Sequence, residues 1–183
     1  MSVQTIQPAL RALTGLSCLL DYPCQDYLSS FAAWAKDFAY LFPGAGQELN
    51  KFQSLVGELP LSEMEELYTR TFDIVPICNL YVSAHLYGDE NYERGALMHR
   101  LKERYEASSF DTEGELPDHL SVLLRFAPLF EPDELKEIVE YCLKVPVKEM
   151  VRSLEESSNP YSHVLKAVAE VLESDLIEER VND

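Results

Sequence analysis

Apolar residues recur every three or four positions along most of the chain, and the breaks between these stretches fall at proline, glycine or polar clusters. That period marks helices that bury one face. Pro8 opens a first segment whose Leu10, Leu13, Leu16 and Leu20 share a face, closed at Asp21-Tyr22-Pro23. A second segment is expected from Asp26 to Phe42, carrying Leu28, Phe31, Ala35, Phe38 and Phe42, with Trp34 at core or rim. Pro43-Gly44-Ala45-Gly46 reads as a break, followed by a short helix from about Gln47 to Val56. Ser62 and Glu65 have the spacing of a capping box, which starts a helix running to Phe72. Asp73-Ile74-Val75-Pro76 ends it. Ile77 to Tyr87 is almost wholly apolar or small, as befits a helix in the middle of a bundle, and Gly88 is a left-handed terminator.

The next helix is expected over Tyr92 to Ala107, with Leu97, Leu101 and Tyr105 one turn apart. Ser108 to Gly114 is a polar loop interrupted by Phe110. Glu115-Leu-Pro-Asp-His-Leu120 follows. Pro117 suits a first helical turn, Asp118 favours the positive end of that helix, and His119 titrates near neutrality. Glu131-Pro132-Asp133-Glu134 opens a helix with Leu135, Ile138, Val139, Cys142 and Leu143 on one stripe. Pro146 restarts the chain for a short helix, and Asn159-Pro160 opens a last one with Tyr161, Val164, Leu165, Val168, Val171 and Leu172 inward. Beyond Val171 the chain turns acidic and is expected to fray. No long stretch alternates apolar and polar, so the expectation is an all-α fold: a compact bundle of about ten helices in one domain over residues 1–183. The 108–114 loop is where a hinge would lie.

Composition narrows the function. The 183 residues carry 32 acids and 15 bases, a formal charge of −17. Only five of those acids lie in the first 61 residues, so the negative field belongs to the later part of the chain. Nucleic acid is disfavoured as a partner because phosphate binding needs a basic face. Basic polypeptides are the electrostatic complement, with solubility as the plainer reason for the charge. No apolar run reaches the roughly 20 residues of a membrane span. The first residues lack the basic and apolar regions of a signal peptide. Cys18, Cys24, Cys78 and Cys142 show no metal-ligand spacing and read as buried thiols in a reducing cytoplasm.

Catalytic signatures are missing: there is no GxSxG, no GxGxxG and no Walker loop. The histidines are spaced as isolated core or surface residues, and no bound cofactor or metal is expected. A recognition surface is better supported. Tyr68, Phe72, Tyr81 and Tyr87 gather aromatics around one break, and tyrosine joins an apolar body to a polar tip. Asp118 could meet a guest cation.

Taken together, Leu67-Tyr-Thr-Arg-Thr-Phe-Asp73, Leu80-Tyr81, Leu86-Tyr-Gly-Asp89, Arg94-Gly95, Leu101-Lys-Glu-Arg-Tyr105, Glu115-Leu-Pro-Asp-His-Leu120 and Asn159-Pro-Tyr161 resemble the NarJ branch of the TorD/DmsD/NarJ chaperones. The likeness covers about residues 62–172. Two positions depart from the pattern: Arg125 stands where an acid is usual, and Ser108-Ser109-Phe110 replaces a small-glycine step. The resemblance implies an all-helical, non-enzymatic, cytoplasmic protein. It would bind the N-terminal leader or tail of a molybdoenzyme catalytic subunit before membrane attachment or twin-arginine export. It further implies that molybdopterin guanine dinucleotide is handled only through the client, with no stable membrane insertion; the oligomeric state stays open between a monomer and a dimer swapped at the 108–114 loop. It places Asp118, His119, Tyr68 and Phe72 at the peptide site, and Leu80, Tyr81 and Tyr87 complete the expected groove. The rivals are a general acidic adaptor for basic proteins, and a metal protein built on His85, His99 and His119.

Overall fold

The computed structural model describes residues 7–25, 38–88 and 91–174. Most of the helix expected over 26–42, Trp34 included, lies outside these residues, as does the acidic tail from 175.

Among the described residues the regular secondary structure is helical apart from one isolated bridge. Helix α1 (Gln7–Cys18) buries Leu10, Leu13 and Leu16, with Leu20 just beyond its end. Helix α2 (Pro43–Val56) starts earlier than expected. Pro43 takes its first turn, where no N–H is required, so the Pro-Gly-Ala-Gly stretch begins the helix instead of breaking it. Gly46 lets this turn close on the preceding one, since a Cβ there would lie 2.6 Å from that of Ala39. Helix α3 (Leu61–Tyr68) follows Pro60. The Ser62 box does not form: Pro60 holds the N-cap position, in extended backbone, and no side chain caps the helix.

From Thr69 to Asp73 the helix widens into a π turn, in which the Ile74 N–H donates to the Thr69 carbonyl at 3.1 Å. The widened turn buries Thr71, whose hydroxyl donates to Leu67 O at 2.6 Å and accepts from Asn159 Nδ2 at 2.8 Å. The apolar Ile77–Tyr87 stretch is helical only over α4 (Val82–Tyr87). Tyr81 instead bridges His119 in antiparallel fashion, with Leu120 N–H donating to Leu80 O at 2.8 Å and Val82 N–H to Asp118 O at 3.0 Å. Gly88 ends α4 at φ 77°, as anticipated.

Helix α5 (Tyr92–Ala107) has the expected bounds, capped by the Asn91 side chain accepting from Glu93 N–H at 2.9 Å. In the 108–114 loop, Phe110 packs against Tyr105 and Phe126 at 5.4 and 5.0 Å. Helix α6 (Leu120–Phe126) begins after the Glu115–His119 stretch, so Pro117 and Asp118 lie in a turn that leads into the helix.

Helix α7 (Pro132–Glu137) does not stop at Pro146. It runs through a second π segment, Ile138–Leu143, into α8 (Lys144–Glu156). The Lys144 N–H reaches back to Val139 O, five residues earlier. A looser turn here accommodates a proline that cannot donate. Helix α9 (Tyr161–Leu172) is the hub, packed against α1, α2 and α8, with all six anticipated residues buried. Helix α1 also lies along α6.

The cysteines depart from expectation. None is in a disulfide, but Cys18 and Cys24 are exposed and Cys142 is half-buried; Cys78 alone is buried. No helix among the described residues is long and apolar enough to cross a membrane.

Candidate functional site

Three elements distant in sequence meet at His119. The end of α1 brings Asp21 and Tyr22. The end of α3 and the π turn that continues it bring Tyr68 and Asp73. The loop before α6 brings Thr112, Glu113 and Glu115, and α6 itself brings Ser121 from its first turn and Arg125 from its last. Together they line a cleft of about 380 Å³. Its charge is strongly one-sided. Arg125 is spent on Glu113 at 2.9 Å and lies over the Phe110 ring at 5.6 Å. Among the described residues, Asp21, Asp73 and Glu115 form no ion pair with lysine or arginine. Low-dielectric walls strengthen the pull of such a cleft on a cation.

Local chemistry holds the cleft in shape. His119 is 6% exposed, and its Nδ1 lies 2.8 Å from the Ser121 hydroxyl. Burial lowers its pKa, and the carboxylates of Glu115, Asp21, Asp118 and Asp73 pull the other way without prevailing. Asp73 is held above its usual value, first by burial and then by the nearby Glu115. The Tyr81 ring meets His119 edge to face at 5.4 Å, and its hydroxyl donates to Glu115 Oε1 at 3.2 Å. Burial, reinforced by Glu115, pushes that phenol up to about 12, so it stays a donor at neutral pH. Tyr68 donates to Leu20 O at 3.0 Å and stacks edge-on with Tyr22 at 5.4 Å, which ties the chain just beyond α1 to the end of α3.

The expected site residues divide into four groups. His119 and Tyr68 line the acidic cleft, and Tyr81 holds its rim through Glu115. Phe72 and Leu80 are core: Phe72 packs on Tyr161 at 4.9 Å and on Tyr68 at 5.1 Å, and Leu80 is 1% exposed. Tyr87 lies elsewhere, in a groove of about 330 Å³ between α5 and the 134–142 stretch, beside Leu97, Ile138 and Tyr141. Asp118 is fully buried, so in this conformation it cannot touch a guest. Its carboxylate accepts from the Ser83 hydroxyl, which in turn accepts from Arg94 Nε at 3.1 Å.

The negative charge facing the cleft comes instead from Asp21, Asp73, Glu113 and Glu115. Two of these flank motifs already visible in the sequence: Asp73 follows Tyr68-x-x-x-Phe72, and Glu115 opens the Pro-Asp-His run. Asp21 and Tyr22 carried no such signal, because only the packing of α1 brings them here. Among the described residues no histidine, cysteine or acid cluster has the arrangement of a metal site.

Residues 30–167 match the model of a family described as nitrate reductase delta subunit. The chain belongs to this family. Within it, the chain is 31% identical to a Bacillus subtilis protein assigned as the nitrate reductase molybdenum cofactor assembly chaperone NarJ, over 92% of this delta-family chain and 91% of that one. It is 30% identical to the nitrate reductase-like protein NarX of Mycobacterium tuberculosis over 102 residues, 55% of this chain but 15% of that larger protein. Its fold matches the crystal structure of a candidate redox enzyme maturation protein from Archaeoglobus fulgidus, with a TM-score of 0.61 at 23% identity, covering 95% of this chain and 96% of that one.

Proposed function

We propose that this delta-family protein is an assembly chaperone for a nitrate reductase-like molybdoenzyme. In this reading it works in the cytoplasm and catalyses no reaction. It holds the N-terminal segment of the client's catalytic subunit while the molybdenum cofactor, a molybdopterin guanine dinucleotide, is installed in the client. The observation that carries the reading is the likeness to the Bacillus assembly chaperone, which spans nine-tenths of both chains. The cleft at His119 supports the finer part. A leader segment is an amphipathic chain with basic residues, and an acid-lined cleft with aromatic walls complements it: apolar burial supplies affinity, and the carboxylates set orientation.

The test is calorimetry with synthetic peptides copying the first ~20 residues, about 30 Å when helical, of each molybdoenzyme catalytic subunit encoded in the same genome. One of them should bind one-to-one. Failure of every such peptide to bind overturns the reading. The general acidic adaptor is the second reading, favoured only by the charge of −17. Exposed charges are screened beyond roughly 8 Å at physiological ionic strength. Binding that vanishes in moderate salt would therefore point to the adaptor, and binding that persists would point to the cleft. Sedimentation of the free protein separates a monomer from a domain-swapped dimer.

A further inference from the structure

The loop that leaves the acidic cleft is built against ordinary folding preferences. Asp73 lines the cleft, and the next four residues are Ile74, Val75, Pro76 and Ile77. All four are exposed, with Val75 at 90% and Ile74 at 71%. Single exposed aliphatics are common on protein surfaces, but three within four residues form a patch. The loop is pinned at both ends: Ile74 N–H donates to Thr69 O at 3.1 Å, and Cys78 N–H donates to Thr71 O at 3.2 Å. Cys78 itself is buried. The tip is thus held at a fixed place while its side chains face solvent.

Val75 has φ 51°. A β-branched residue in the left-handed region is a steric outlier, and at this exposure its side chain recovers almost nothing by packing within the chain. Asparagine or glycine would occupy the same backbone with less strain. Strain of this kind points toward a role in recognition more than toward stability.

We infer that residues 74–77 are an apolar docking finger for the client segment, reading an aliphatic residue of that segment while the neighbouring cleft takes its cation. The inference rests on the client-binding reading above and names the chemistry the site selects: a cationic side chain with an aliphatic one a helical turn away. The spacing agrees. Val75 is two residues from Asp73, at most roughly 7 Å along the chain, and side chains three or four apart on a helix are about 5–6 Å apart. Charge complementarity selects this occupant: Asp73, directly before the finger, and the Asp21 and Glu115 carboxylates with which it lines the cleft repel an anionic membrane surface and a second copy of this acidic chain alike.

The test uses the full chain and the client peptide that binds in the assay above. Val75→Asn should raise the midpoint of thermal unfolding by roughly 2 °C or more, yet weaken peptide binding several-fold. Ile74→Ser combined with Ile77→Ser should weaken binding on the order of ten-fold and leave the melting profile nearly unchanged. Leu55→Ser, at another exposed aliphatic, on α2, is the control and should leave affinity as it was. Replacing the peptide's aliphatic residues by serine should abolish the difference between wild type and the finger variants. If a client peptide binds and the finger variants bind it equally well, the inference falls while the chaperone reading stands. If no peptide binds, both fall. If wild type self-associates and Val75→Asn makes it monomeric, the finger is a contact between copies and the inference is overturned.

Discussion

The Asp118 carboxylate is bonded to the Ser83 hydroxyl, 35 residues earlier in the chain, and Arg94 Nε donates to the same hydroxyl from α5. One buried acid therefore joins the turn before α6, the start of α4 and the start of α5. Its other oxygen is buried without a hydrogen-bond partner. Replacing Asp118 leaves the buried Ser83 hydroxyl without its acceptor. Asp118→Ala should cost about 1–3 kcal/mol of stability, read from urea unfolding at pH 7. Any loss of client binding should scale with the fraction unfolded.

Acid should weaken the fold through His119. An unfolded histidine takes a proton near pH 6.5. The folded one takes it only at lower pH, because burial disfavours the charged ring. Below 6.5 the unfolded state thus binds more protons, and stability falls as pH drops until the folded value is passed. The contribution is fully present above 6.5. Urea midpoints from pH 8 to 5 should show this slope, and His119→Asn should flatten it. An equal slope in both proteins would remove His119 as the cause.

Asp73 should trade stability for binding. Its carboxyl is held above the ordinary range by burial and by Glu115. For an acid so shifted, stability is fully present below the unfolded value and is lost as pH rises through the folded one. At neutral pH the ionised group therefore works against the fold. Asp73→Asn should raise the unfolding midpoint at pH 7 and weaken binding of a basic client peptide. The stability gain should shrink toward pH 4.

Gly46 should tolerate no side chain. A methyl there meets Ala39 Cβ at 2.6 Å and Cα at 2.8 Å, and backbone cannot yield as a long side chain can. Gly46→Ala should cost roughly 1–3 kcal/mol by overpacking. At Gly44 the nearest atoms a methyl would meet belong to the Glu170 carboxylate, the far end of a side chain, so Gly44→Ala should cost less. Thermal melts of the two variants would order them.

Much of the fold is legible where period and punctuation agree. The Leu97, Leu101, Tyr105 row marks α5 with its expected bounds, and Asn159-Pro160 opens α9 with its six inward residues. The misreadings have a common cause, which is that a local cue was outweighed by a longer-range partner. Pro146 looked like a stop, but the π segment before it absorbs the missing bond. Ser62 looked like a cap, yet Pro60 already sets the entry to α3. Asp118 looked available to a guest because its partner, Ser83, lies in another helix. The cleft was half visible: His119 and Tyr68 stand in recognisable motifs, whereas Asp21 and Tyr22 arrive only through the way α1 packs.

The π segment at Ile138–Leu143 has a consequence for how this chain can vary. A wide turn holds one residue more than the helix around it, so it sets the phase between Pro132–Glu137 and Lys144–Glu156. Deleting a single residue inside it would straighten the rod and rotate everything downstream by about a quarter turn. Val147, Met150 and Leu154 would then swing away from the interior they now fill. Length, and not only side-chain type, is thus under constraint along these six positions, while the exposed loop at Ser157-Ser158 is free to grow.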